Sequence, residues 1–170
     1  MKSLVLSVAV LAILATPAVS YAGVPPEPAV DQSAFLQSSD PQLAANKRLV
    51  YNAIRVLMIG GHVERVGEFM APDYIQHNPG IATGRDSFVA FMKSLHPTPS
   101  AIPDKITWPI VTMVAERDLV TVAMIHEVPD ARDPTHKVKT TWFDMYRVQN
   151  GRIVEHWDEA TGEAAAPPKQ

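Results

Sequence analysis

Trp142-Phe143-Asp144-Met145-Tyr146-Arg147-Val148-Gln149-Asn150-Gly151-Arg152-Ile153-Val154-Glu155-His156-Trp157-Asp158 is the stretch that decides the fold. Asn150-Gly151 marks a hairpin turn between two strands. The loop length then fixes which side chains are neighbours. A two-residue loop sets Asp144 opposite Trp157 and separates it from His156 and Asp158. A three-residue loop, Gln149 to Gly151 with Gly151 left-handed, pairs Val148 with Arg152, Asp144 with His156, Trp142 with Asp158 and Tyr146 with Val154. We expect the second register. It gathers Trp142, Asp144, Tyr146, Val154, His156 and Asp158 on one face, and Phe143, Met145, Arg147, Ile153, Glu155 and Trp157 on the other.

Upstream of this hairpin lie two more strand-like runs, Ile106 to Ala115 and Leu119 to Val128, separated by the turn Glu116-Arg117-Asp118. Pro109 marks the first as an edge or a bulged strand. Before them the pattern is helical. Asp40-Pro41 supplies an N-cap and a proline at the first helical position. Leu43, Asn46, Lys47, Val50, Ile54, Leu57 and Met58 then recur on one face up to Gly60-Gly61. A short helix over 62–70 and a third beginning near Gly84-Arg85-Asp86 follow, with Tyr74 to Pro79 extended between them. Helices first and sequential strands afterwards predict an α+β domain with an antiparallel sheet.

The beginning of the chain has the three parts of a secretory signal. Lys2 supplies the positive charge, Leu4 to Ala15 the apolar run, and Ser20 and Ala22 the small residues of a cleavage site after Ala22. An uncleaved anchor is the alternative, but the run is shorter than the roughly 20 residues a spanning helix needs, and Pro17 interrupts it. The expected organisation is a signal over 1–22, a flexible Pro-rich leader over 23–40, one domain over 41–163 and a disordered tail over 164–170. Phe35 and Leu36 leave open a leader that docks. The protein is therefore expected outside the cytoplasm, periplasmic or secreted. With no cysteine in the sequence, disulfides, thiolate metal sites and cysteine nucleophiles are excluded. A net charge of -3 without a block of Lys or Arg gives no reason to expect nucleic acid or an anionic membrane as partner.

Two carboxylates and an imidazole, Asp144, Asp158 and His156, beside the aromatics Trp142 and Tyr146 suit acid–base chemistry in an apolar pocket. A charged hairpin surface with ordinary hydrogen bonds is the alternative. His126 closes an apolar stripe formed by Val120, Val122 and Met124, which suits a pocket-facing ring or a core histidine bonded to a carbonyl. His77, in Tyr74-Ile75-Gln76-His77-Asn78-Pro79, either gates a pocket mouth or bonds the turn after it. No HExxH, His-x-His or acidic calcium loop is present, and no metal or cofactor is expected. The sequence also lacks a phosphate-cradling glycine motif and a GxSxG elbow.

Two segments resemble the SnoaL-like polyketide cyclase family of the nuclear transport factor 2-like superfamily. They are Tyr74 to Pro79 with Gly84 and Phe88, and Phe143-Asp144-Met145-Tyr146-Arg147 through Gly151-Arg152-Ile153-Val154-Glu155-His156-Trp157-Asp158. The resemblance runs from about Asn46 to Asp158. It implies a cone: a curved sheet with the N-terminal helices on its concave side, around one pocket. It further implies a cofactor-independent enzyme of the aldol cyclase, lyase or isomerase kind acting on a small apolar carbonyl compound. Asp144 is then the closest candidate for the acid/base and Asp158 the second. His77, His126, His156, Trp142, Tyr146 and Tyr74 are their pocket companions. A binding protein that only holds an apolar ligand needs the same pocket and is the alternative function. Phe143, Met145, Ile153 and Trp157 would form an apolar outer patch, which together with the family resemblance predicts a homodimer centred near Trp157.

Overall fold

The computed structural model describes residues 23–159, so the expected signal and tail lie outside the described residues. The first helix, α1 (Pro41–Ala53), starts where the sequence places it. The Asp40 carboxylate accepts from the backbone N–H of Gln42 and Leu43, which satisfies two of the free donors of the first turn. The helix then widens into a π-helical turn over Ile54–Ile59 and stops at Gly60-Gly61. Gly61 has φ +73°, and a side chain there would put its Cβ 2.7 Å from the Cβ of His96, so only glycine fits this stop. A 3-10 turn, Val63–Glu68, replaces the expected second helix. It leads into strand β1 (Met70–Gln76), which in turn precedes α2 (Arg85–Leu95).

The remaining strands are β2 (Ile110–Glu116), β3 (Leu119–Pro129), β4 (Lys137–Gln149) and β5 (Arg152–Trp157). They form one curved five-stranded sheet in the order β1-β5-β4-β3-β2. Neighbours from β5 to β2 are antiparallel, and the extended segment after the 3-10 turn adds β1 alongside β5 in parallel. The helices cover the concave face. Val50, Ile54 and Leu57 from the helical side meet Val120, Val122, Tyr146 and Ile153 from the sheet, all nearly inaccessible to water. Burying side chains of this size contributes about 1.5–3 kcal/mol each, and with no disulfide this packing carries the fold.

The leader is not loose. The Ala29 N–H donates to the Ile110 carbonyl at 2.8 Å. The Gln32 side chain bridges to both backbone groups of Ile106 and accepts from the Tyr51 hydroxyl at 2.7 Å. Phe35 and Leu36 pack on the main core, not on the outer sheet face. Two apolar side chains and a satisfied amide outweigh the flexibility that the proline-rich composition suggests.

The β4–β5 hairpin differs from its expected form. Asn150 and Gly151 both have positive φ, 51° and 69°, which makes a two-residue type I′ turn, and Gln149 pairs with Arg152. Beyond it Val148 pairs with Ile153, but Arg147 pairs with Glu155, so Val154 is an extra residue in β5. This β-bulge shifts the register by one. Tyr146 then faces His156. Asp144, His156 and Asp158 therefore share the concave face as expected, but a bulge puts them there, not a three-residue loop. The two-residue turn pairs Ile153 with inward-facing Val148, so Ile153 is buried and does not belong to the outer patch.

Candidate functional site

The concave face does not close completely, and a cavity of about 640 Å3 remains between helices and sheet. Its size falls within the range of small-molecule sites. Phe88, Phe91, Met92 and Leu95 of α2 form one wall, and Trp108, Met124 and Trp142 form another. These aromatic and thioether groups make a mostly apolar, adaptable lining. Gln76, Asp144, His156 and Asp158 line the same cavity. Among the described residues lining it there are three acids, Glu127, Asp144 and Asp158, and no Lys or Arg.

Each polar group is held by a strand. Alternation along β4 puts Trp142, Asp144 and Tyr146 on one face. The Trp142 indole N–H donates to Asp144 Oδ1 at 2.9 Å and the Tyr146 hydroxyl donates to Oδ2 at 3.1 Å. Burial, followed by the charge of Asp144, keeps the Tyr146 phenol far above its ordinary pKa, so it is a fixed donor. On β5 the His156 ring stacks on Tyr146 with centroids 4.4 Å apart and planes 5° apart. His156 and Asp144 are only 5% and 7% exposed, and His156 Nε2 lies 3.8 Å from Asp144 Oδ2, too far for a direct hydrogen bond. Among the described residues, two buried side-chain polar atoms have no hydrogen-bond partner: His156 Nε2 and Asp158 Oδ1. Burial pushes the Asp158 carboxyl up from its ordinary value, against the opposing influence of the His156 imidazole and the Asn78 amide.

The sequence-predicted residues divide into three groups. Asp144, His156 and Asp158 meet at the cavity, with Trp142 beside them. His126 is at the rim, exposed and stacked on Trp142 at 4.7 Å. Tyr146 and Tyr74 are buried behind the lining rather than in it, and Tyr74 packs edge-on against Phe88 at 6.1 Å. His77 does not reach the cavity. Its ring stacks on Trp157 at 4.7 Å on the opposite face, and its Nε2 meets Glu155 Oε2 at 3.1 Å. The reason is parity: along β1, Tyr74, Gln76 and Asn78 are buried and Ile75 and His77 are exposed. The same alternation would have picked out Gln76 and Asn78, which the sequence reading left without a role. Gln76 pairs with His156 across the β1–β5 ladder, and its amide nitrogen approaches His156 Nδ1 at 3.1 Å.

The SnoaL-like domain profile matches residues 51–156. No curated protein matches the chain. Among solved structures, a candidate polyketide cyclase from Bacillus cereus aligns with a TM-score of 0.50 at 15% identity, over 79% of this chain and 86% of its own. A candidate SnoaL-like polyketide cyclase from Jannaschia aligns with a TM-score of 0.48 at 17% identity, over 78% and 99%. An epoxide hydrolase of the LEH-like kind from M. tuberculosis aligns with a TM-score of 0.48 at 15% identity, over 69% and 84%. At such identities the likeness is one of fold.

Proposed function

The chain belongs to the SnoaL-like domain family, and from that premise we propose that it is a small-molecule enzyme running acid–base chemistry without a cofactor on an uncharged carbonyl compound. The observation that carries this reading is the unpartnered Asp158 Oδ1, buried beside Asp144 and His156 at a mostly apolar cavity. Leaving a buried polar atom unbonded costs about 1–3 kcal/mol. An unsatisfied buried polar atom in a folded protein calls for an explanation, and a ligand seated in the cavity supplies one.

Asp158 is the better placed of the two carboxylates to take a proton. Both oxygens of Asp144 already accept hydrogen bonds, whereas Asp158 keeps an open lone pair and burial raises its pKa. A raised carboxyl is a stronger base and is closer to the pH at which it works. In the step we propose, a C–H bond next to the substrate carbonyl breaks and its proton goes to Asp158. The electron pair moves onto the carbonyl oxygen as an enolate. The enolate then either regains a proton at another carbon of a conjugated chain or on the opposite face of the same carbon, which isomerises the substrate, or its carbon attacks a second carbonyl of the same molecule. In the latter case that carbonyl oxygen takes the proton back and a ring closes. The carboxylates Asp144 and Glu127, with no Lys or Arg among the described residues lining the cavity, disfavour anionic substrates.

Proton exchange tests the reading before the substrate is known. Uncharged aryl ketones and 1,3-diketones that bind the cavity should exchange their α-hydrogens in D2O faster with the protein than without it, as read by proton NMR. Asp158→Asn should lower that rate by about 10²–10⁴-fold. Compounds that bind yet exchange no faster with the wild-type protein would instead favour a carrier that only holds its ligand.

A further inference from the structure

We infer that Gln76 is a positioning residue that fixes His156 in one tautomer, with the proton on Nε2 and pointed into the cavity. This makes the imidazole a hydrogen-bond donor there and not a base.

The amide of Gln76 is oriented by two backbone donors. Its Oε1 accepts from the backbone N–H of Asn78 at 3.1 Å and from that of His77 at 2.8 Å. The His77 N–H is shared with the His156 carbonyl, but the buried Asn78 N–H has no other partner among the described residues. A backbone N–H can only donate, so the atom facing these two must be the oxygen. The amide orientation is thereby set by its surroundings, which is the requirement for assigning it. The other end of the amide, the NH2, is 3.1 Å from His156 Nδ1. An NH2 donates and does not accept. Nδ1 must therefore present its lone pair, and in the neutral ring the proton then belongs to Nε2.

The opposite side of the ring supports the same assignment independently. Nε2 is buried, unpartnered, and 3.8 Å from Asp144 Oδ2. An N–H facing carboxylates is attractive, and a lone pair there would be repelled. Stacking on Tyr146 prevents the ring from swivelling away. The geometry also bears on metal binding. Donor atoms of Asp144, His156 and Asp158 lie within 4.8 Å of one another, the kind of group that could hold an ion. A metal, however, needs a lone pair on the nitrogen it binds. Nε2 offers a proton in its place, and Nδ1 is taken by Gln76. Ligating histidines usually donate their second nitrogen to an acceptor, whereas this one receives a bond on it.

The role in turnover rests on the acid–base reading above. A substrate carbonyl oxygen that accepts from His156 Nε2–H gains stabilisation as it becomes an enolate. The tautomer itself stands whether or not the protein turns anything over, and the test separates the two. Long-range proton–nitrogen correlation on 15N-labelled full chain reads the tautomer directly. The expected spectrum shows His156 protonated at Nε2 in the wild type. Gln76→Glu, whose carboxylate can accept but not donate, should bring a proton onto Nδ1. If this variant does not fold, Gln76→Leu should leave a mixture of both forms. A wild-type ring protonated at Nδ1, or a Gln76→Glu ring unchanged from wild type, would overturn the inference. In the ketone exchange assay, His156→Leu should lose about 10²–10³-fold. His156→Gln, which keeps an N–H near the same place and cannot act as a base, should lose roughly tenfold less. Equal losses in the two variants would refute the donor role. A wild-type protein without exchange activity, but with Nε2 protonated, would refute the acid–base reading and leave the tautomer standing.

Discussion

Tyr146→Phe tests whether Asp144, at the wall of the cavity, is a buried carboxylate held by neutral donors. The hydroxyl it removes donates to Asp144 Oδ2 at 3.1 Å and otherwise meets only the Met58 sulfur at 3.9 Å. A hydrogen bond to a charged acceptor contributes about 1.5–3 kcal/mol. This one is long for an O–H···O pair, and Trp142 still holds the other oxygen. The lower part of the range applies, about 1.5–2 kcal/mol. The ring and its stack on His156 remain, so no large cavity adds to the cost. Tyr74→Phe is the matched control. That ring is equally buried, but its hydroxyl has no hydrogen-bond partner among the described residues, and its loss should change stability by less than about 0.5 kcal/mol. Urea unfolding at pH 7 followed by circular dichroism measures both. With a slope of about 1–3 kcal/mol per molar urea, the Tyr146→Phe midpoint should fall by roughly 0.5–2 M at unchanged slope. If the two variants unfold within experimental error of each other, the hydroxyl does not hold a charged Asp144, and the description of the site fails at its best-buried point.

Asp158→Asn should stabilise the folded protein at pH 7. Because the folded-state pKa of Asp158 is raised, the charged form costs stability above that pKa, and the cost disappears below the ordinary carboxyl value near about 4. The advantage of Asn should therefore shrink as pH falls from 7 through the carboxylate range, and thermal melts that show Asn less stable at pH 7 would contradict the burial argument. We also propose a homodimer through the outer sheet face, now centred on Phe143. Trp157 is covered by His77 and Arg147, whereas Phe143 and Val114 are 52% and 55% exposed. Sedimentation should show a dimer at micromolar concentration and a monomer for Phe143→Asp; a monomeric wild type would remove the interface.

Much of the fold was legible because local chemistry dictates it. Asp40-Pro41 caps a helix wherever it precedes an apolar periodicity, and Asn150-Gly151 permits the two positive φ values of a type I′ turn. The hairpin shows where such reading ends. The bulge at Val154 has no local mark, since valine is an ordinary strand residue. It is produced by the demand to bury Ile153 near the turn and His156 further along, three positions apart, on one face. A regular strand cannot do this, because residues an odd number apart point to opposite sides. One extra residue resolves the conflict. Assigning parity from a single register therefore placed the trio correctly and Ile153 wrongly. Composition left open whether the leader docks for a similar reason: the deciding contacts come from Tyr51 and Ile106 far along the chain.

Gln76 marks a different boundary. Alternation along β1 is enough to turn it inward and His77 outward, so its face could be read. Its neighbour could not, because β1 joins β5 in parallel and nothing in either segment announces that pairing. The cross-strand partners Gln76 and His156 are 80 positions apart. The chemistry arises only once the ladder brings an amide with a fixed oxygen beside an imidazole with two inequivalent nitrogens. The candidate site is then more than its titratable residues. Asp144, Asp158 and His156 are visible as types in the sequence, but which of them can give a proton and which can take one is set by Trp142, Tyr146 and Gln76. Of these, the amide has the largest consequence, because in the proposed tautomer it makes His156, the one residue able to serve either purpose, a donor.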